Sequence, residues 1–102
     1  MDISDWRKRI DKIDRELAKL LSERSRCAIE VGRLKRSLNI PVYDPSREEK
    51  IFNKIIDNNK GPLEDKALKR LFKRIIDESR RVERLEVERE KVTSKKVTSS
   101  ST

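Results

Sequence analysis

Arg24 and Lys35 lie eleven residues apart in a stretch whose other inward positions are apolar. On a helix that spacing puts both on nearly the same side, roughly 16 Å apart along the axis. Long cationic side chains leaning toward each other can hold one small dianion between them. Glu48 comes one turn before Phe52 and two before Ile55, so on a second helix its carboxyl points inward. Ser79 follows Ile75 by one turn and Glu83 follows Ser79 by one turn, which sets both in the apolar stripe of a third helix.

Taken singly, each of these has an ordinary explanation. A seam arginine snorkels or pairs with a core carboxylate. A first-turn glutamate serves the helix dipole, a stripe serine bonds back to the preceding turn, and Lys35 and Glu83 alone would be boundary residues. The conjunction is different, because two cations, two carboxyls and a hydroxyl converge from three helices. Buried without a ligand, such a set would be costly; it reads instead as a polar pocket for an anionic ligand.

The residue types that are missing narrow the chemistry. The chain has no His and a single cysteine, Cys27, which removes His-based acid–base catalysis, the usual zinc ligand sets and any intrachain disulfide. Cys27 falls on the apolar seam and reads as a small buried hydrophobe rather than a nucleophile. Gln is absent as well. With 27 Lys+Arg against 19 Asp+Glu the formal charge is +8, which suits an anionic partner, either nucleic acid or a small polycarboxylate. Both signs are interspersed along the helices, the pattern of solvated faces. No apolar run approaches the ~20 residues of a membrane span and no signal-peptide core follows Met1, so a cytoplasmic protein is expected.

The elements that must position these groups are helices. From Trp6, alternate steps of four and three land on Ile10, Ile13, Leu17, Leu20, Arg24, Cys27, Val31, Leu34 and Leu38, a seam broken only by Arg24. Ser4 or Asp2 can cap this helix, and Asn39-Ile40-Pro41 ends it. A helix of that span is roughly 50 Å long, while a compact domain of about 100 residues has a radius of gyration of only ~13 Å. It must overhang, and the same seam on an antiparallel second copy would cover it. A hydrophobic content of 33% with 4% aromatic residues is thin for a self-sufficient core and also favours an oligomer.

Asp44-Pro45-Ser46-Arg47-Glu48 starts a second helix, with Asp as N-cap and Pro at the first helical position, and Asn58-Asn59-Lys60-Gly61-Pro62 stops it. A third begins near Glu64 or Asp65, carries Leu68, Leu71, Phe72, Ile75, Ile76, Ser79, Val82 and Glu83, and is expected to fray between Leu85 and Val92. The predicted architecture is all-α, a helical domain over residues 1–92 followed by a disordered Ser/Thr/Lys-rich tail over 93–102.

Arg7, the run from Ile10 to Asp14, Ser22-Glu23-Arg24, Glu30-Val31-Gly32, Lys35 and Pro41 through Glu48 together resemble the all-helical, AroQ-class chorismate mutases. Gly61-Pro62-Leu63, Leu71-Phe72, Ile75-Ile76 and Ser79-Arg80 fit the same pattern, so the resemblance covers about residues 3 to 85. It implies an intertwined three-helix homodimer, without cofactor or metal, that converts chorismate to prephenate by a Claisen rearrangement. Carried over residue by residue, Arg24 and Lys35 grip the substrate carboxylates, with Lys35 also reaching the ether oxygen. Asp44 and Glu48 hold the ring hydroxyl region with Arg47 beside them, and Ser79 sits near a carboxylate. Arg7 matches an arginine that the family supplies from the other subunit. Geometry agrees, since seventeen residues put Arg7 roughly 25 Å from Arg24 along the helix. At the position of Glu83 many relatives carry Gln, whose amide donates to the ether oxygen; a Glu can donate only when protonated.

Two other readings compete. Isochorismate pyruvate lyases resemble these mutases in fold and pocket. A basic helical dimer that binds nucleic acid would use the Lys/Arg-rich stretch from Lys66 to Arg84, but leaves Arg24, Glu48 and Glu83 in their stripes unexplained. The family also occurs fused to other aromatic-pathway enzymes, so the tail is expected to be a natural terminus, a linker or an expression scar.

Overall fold

The structure, a computed structural model, describes the backbone of residues 1–100 and the side chains of residues 1–93. Its three elements are all helices: α1 (Ile3–Ser37), α2 (Pro45–Asp57) and α3 (Asp65–Ser100). α1 starts in a capping box, in which the Asp2 carboxylate accepts from the Asp5 amide at 3.0 Å and the Asp5 carboxylate accepts from the Asp2 amide at 3.1 Å. Asp2, not Ser4, is therefore the cap. α2 begins as its sequence predicts: Asp44 accepts from the Arg47 amide at 3.0 Å and Pro45 occupies the first turn.

α1 ends in a left-handed turn. Asn39 has φ +56°, the Ile40 amide donates to the Lys35 carbonyl at 2.8 Å and the Asn39 amide donates to that of Arg36 at 3.3 Å. This paired closure satisfies two orphan carbonyls and sends the chain back across the end of α1, placing Val42 beside Lys35. A β-branched residue does not tolerate that backbone region. Asn39→Val is expected to destabilise the fold by about 1–2 kcal/mol, and Asn39→Gly to leave it unchanged or stabilise it, in denaturant titration.

α3 is the element on which both others pack. At its mid-point Ile76 and Ser79 are buried, and Gly32 of α1 is buried opposite. Beyond them an ionic cluster ties the two long helices together: Arg33 Nε donates to Glu90 at 2.7 Å, Arg33 lies 3.2 Å from Glu86, and Arg36 lies 3.6 Å from Glu90. α3 does not fray between Leu85 and Val92, since no Gly or Pro follows Pro62 and the backbone runs on as helix to Ser100. The tail expected over 93–102 falls, from 94 onward, on residues whose side chains lie outside those described.

The N-terminal half of α1 is left uncovered by its own chain. Trp6, Ile10, Ile13, Leu17 and Leu20 are all at least half exposed, and the radius of gyration is 18.6 Å. Against the ~13 Å of a compact chain this length, the apolar seam projects beyond the packed part. Cys27, expected to be buried, is exposed for the same reason.

Candidate active site

Where α3 passes between α1 and the start of α2 there is a cleft of about 270 Å³. Val31 of α1, Val42 of the α1–α2 connection, Ile51 of α2 and Ile76 of α3 give it an apolar floor, and Cys27 stands at its edge. Into it project Arg24, Lys35, Asp44, Arg47, Glu48, Ser79 and Glu83, seven of the eight residues singled out in the sequence. Arg7 is the eighth; it lies on the overhanging half of α1, exposed and outside the cleft of its own chain.

Ser79 sets Arg24. Its buried hydroxyl donates back to the Ile75 carbonyl at 3.0 Å and accepts from Arg24 Nη1 at 2.9 Å. The bond to the preceding turn and the grip on a cation are thus made by one oxygen. Among the described residues Arg24 enters no ion pair, nor does Lys35. Each of the two cations meets a neutral oxygen. Lys35 Nζ donates to the Val42 carbonyl at 3.3 Å, because the returning connection offers an acceptor close to its own turn. Both remain in the wall of one cleft with charge to spare.

Glu83 lies against Gly32. A methyl group placed on Gly32 would stand 3.5 Å from the Glu83 carboxyl carbon and from its Oε2, ordinary van der Waals contact, so α1 covers the acid closely at this point. Burial pushes the Glu83 carboxyl above the ordinary range; Lys35, Arg36 and Arg80 pull the other way without cancelling it. Neither Arg24 nor Glu48, which line the same cleft, is among the groups that move it. Arg24 is instead taken up by Ser79, and Glu48 by Arg80.

Arg80 is the residue that sequence reasoning missed. It lines the cleft, pairs with Glu48 and lies over the Tyr43 ring at 4.6 Å from its centroid. The available signal was position: Arg80 stands one turn after Ile76, the most buried hydrophobic residue among those described. No group of three or more His, Cys, Asp or Glu side chains among the described residues is placed to hold a metal ion. Within the same bounds, no helix is long and apolar enough to cross a membrane.

Fold and cleft together define an all-helical protein with a pocket lined by charged side chains of both signs over an apolar floor. Residues 6–84 match the family described as chorismate mutase type II, and the chain belongs to that family. It is 44% identical over 78 residues to a bifunctional chorismate mutase/prephenate dehydratase of Neisseria gonorrhoeae, covering 76% of this chain and 21% of that protein. To the chorismate mutase of Methanocaldococcus jannaschii it is 42% identical over 53 residues, 52% of this chain and 54% of that one. Among solved structures, form II of the chorismate mutase from Thermus thermophilus superposes with a TM-score of 0.78 at 41% identity, covering 80% of this chain and 93% of that one. The Helicobacter pylori chorismate mutase in complex with prephenate shares the fold, with a TM-score of 0.77 at 24% identity, covering 84% of this chain and 93% of that one. The chain spans about a fifth of the length of the bifunctional relatives.

Proposed function

We propose that the chain is a chorismate mutase, converting chorismate to prephenate on the way to phenylalanine and tyrosine in the cytoplasm. The observation that carries this reading is the Arg24 guanidinium, held by a buried hydroxyl and, among the described residues, left without a carboxylate partner in the cleft it shares with Lys35. An unpaired cation so placed is complementary to a ligand that brings its own negative charge.

The reaction suits a site without His. In a Claisen rearrangement one C–O bond breaks as one C–C bond forms, with no nucleophile and no net proton transfer. Rate enhancement then comes from folding a flexible dianion into its reactive chair and from donors aimed at the ether oxygen as charge develops there. Arg24 and Lys35 bind the carboxylates, with Ser79 beside one of them. Lys35 and protonated Glu83 donate to the ether oxygen from adjoining walls. Asp44 and Glu48 take the ring hydroxyl, with Arg47 next to them. The catalytic unit spans residues 1–92. Turnover of chorismate against isochorismate tests the assignment: a mutase consumes the first to give prephenate, whereas release of pyruvate from isochorismate as the faster reaction would make it a lyase. The outer face of α3 gives less support to nucleic-acid binding, since Lys73 and Arg74 there pair with Asp77 and Glu78.

The same proposal includes an antiparallel homodimer whose partner covers the seam from Trp6 to Leu20 and delivers Arg7 of the partner subunit to the open side of the cleft. Complementation reads this directly. Arg7→Ala and Arg24→Ala chains, each inactive alone, are mixed after unfolding and refolded. A mixed dimer regains one intact site of two, so random pairing restores about a quarter of wild-type activity. No recovery would contradict a shared site.

A further inference from the structure

Arg80 belongs to no role assigned above, yet it joins more of the site than any other side chain. It leaves α3 half-buried, pairs with Glu48 of α2, whose side chain is only 15% exposed, and lies over Tyr43 of the α1–α2 connection. With Val42 and Glu83 it also forms the wall between the cleft and a second hollow of about 400 Å³, lined further by Arg36, Arg84 and Lys91. The two carboxyls that look into the cleft are therefore treated differently. Glu48 has a guanidinium as its partner, and Glu83, one turn along from Arg80, has none among the described residues.

We propose that Arg80 is a positioning residue, which pins the α1–α2 connection over the cleft and divides the labour of the two carboxyls, fixing Glu48 as the acceptor and leaving Glu83 as the donor. The inference rests on the mutase reading for its kinetic consequences and on geometry alone for its structural ones. A guanidinium does both parts at once: its fork satisfies the Glu48 carboxylate while its plane stacks on an aromatic face. Lysine supplies the charge without the plane.

The groups around Glu83 fix the sign of the effect on pH dependence. Lys35 and Arg36 act on it from α1 and Arg80 from its own helix, while Arg24, Asp44, Arg47 and Glu48 line the same cleft. Burial favours the protonated acid, and Arg80 is one of three cations opposing it. Removing Arg80 moves the titration of Glu83 to higher pH.

The test compares Arg80→Ala and Arg80→Lys with the wild type. Arg80→Ala raises KM for chorismate on the order of tenfold, since Glu48 and the connection lose their anchor, and shifts the alkaline limb of kcat to higher pH. Arg80→Lys raises KM less and leaves the limb in place. Added to Glu83→Gln, Arg80→Ala still raises KM but has no limb to move. A ground-state readout stands apart from catalysis: in the unliganded protein the Arg80 Nε–H resonance is displaced by the Tyr43 ring, and Tyr43→Leu returns it to the ordinary position. Should Arg80→Ala not fold, Arg80→Met keeps the aliphatic stem and carries the same expectations. Unchanged KM with an unmoved limb overturns the proposal, and so does a fall in kcat with the limb unmoved, the mark of mere structural damage. A wild type inert on chorismate contradicts the function instead; the resonance then still decides whether Arg80 holds the connection.

Discussion

Arg24→Ala lowers kcat/KM for chorismate about a thousandfold, roughly 4 kcal/mol of transition-state stabilisation, while the helices stay folded. The magnitude follows from the surroundings. Arg24 meets one neutral hydroxyl, Ser79, and among the described residues no carboxylate, so none of its charge is spent inside the protein. Its removal leaves Ser79 still bonded to the Ile75 carbonyl, and orphans no anion among the described residues. A stability loss is therefore not the expected phenotype, and circular dichroism should show helix content unchanged. Ser79→Ala gives the smaller companion effect, because the guanidinium stays but loses its fixed direction.

The second large effect concerns Glu83. Burial against Gly32 and α1 keeps this acid protonated above the ordinary carboxylate range, and a protonated acid can donate to an ether oxygen. As pH rises through the displaced value the donor is lost, and the rate falls with it. A bound dianion strengthens the displacement by adding negative charge nearby. Glu83→Gln, whose amide donates at every pH, is expected to flatten the profile and to overtake the wild type on the alkaline side. Glu83→Ala should lose about a hundredfold below the displaced value, where the wild type holds its donor, and progressively less above it. Stability follows the same sign. Between the ordinary and displaced values the folded chain holds a proton that the unfolded chain has released, so stability declines as pH rises through that window. Glu83→Gln removes that slope in denaturant titrations. A wild-type rate flat from acid to mildly alkaline pH would contradict the assignment of Glu83 as donor.

Much of this site was legible in the sequence because helical periodicity is a strict geometric rule. Polar residues that interrupt an apolar stripe must face inward, and Arg24, Lys35, Glu48, Ser79 and Glu83 line one cleft, joined there by Asp44 and Arg47, which only the family resemblance named as site residues. The Asp44-Pro45 start was equally plain, since cap and proline act through the local backbone. Partner choice inside the cleft was not. Spacing placed Arg24 and Lys35 on one side of α1 but did not show that Ser79 and the Val42 carbonyl would be their partners. Arg80 escaped notice because its importance is tertiary: Glu48 and Tyr43 come to it from other elements. Gly32 entered only as part of the Glu30-Val31-Gly32 run. That it faces Glu83 depends on how closely α1 meets α3, which no one-dimensional pattern contains.

The central claim is that the cleft is complementary to a folded dianion because Arg24 holds an unspent charge there. Calorimetric titration with a rigid bicyclic dicarboxylate shaped like the reactive chair tests it without reliance on turnover. The account predicts one molecule bound per chain, more tightly than chorismate, with affinity reduced on the order of a thousandfold in Arg24→Ala. Equal affinity in the wild type and Arg24→Ala would contradict it.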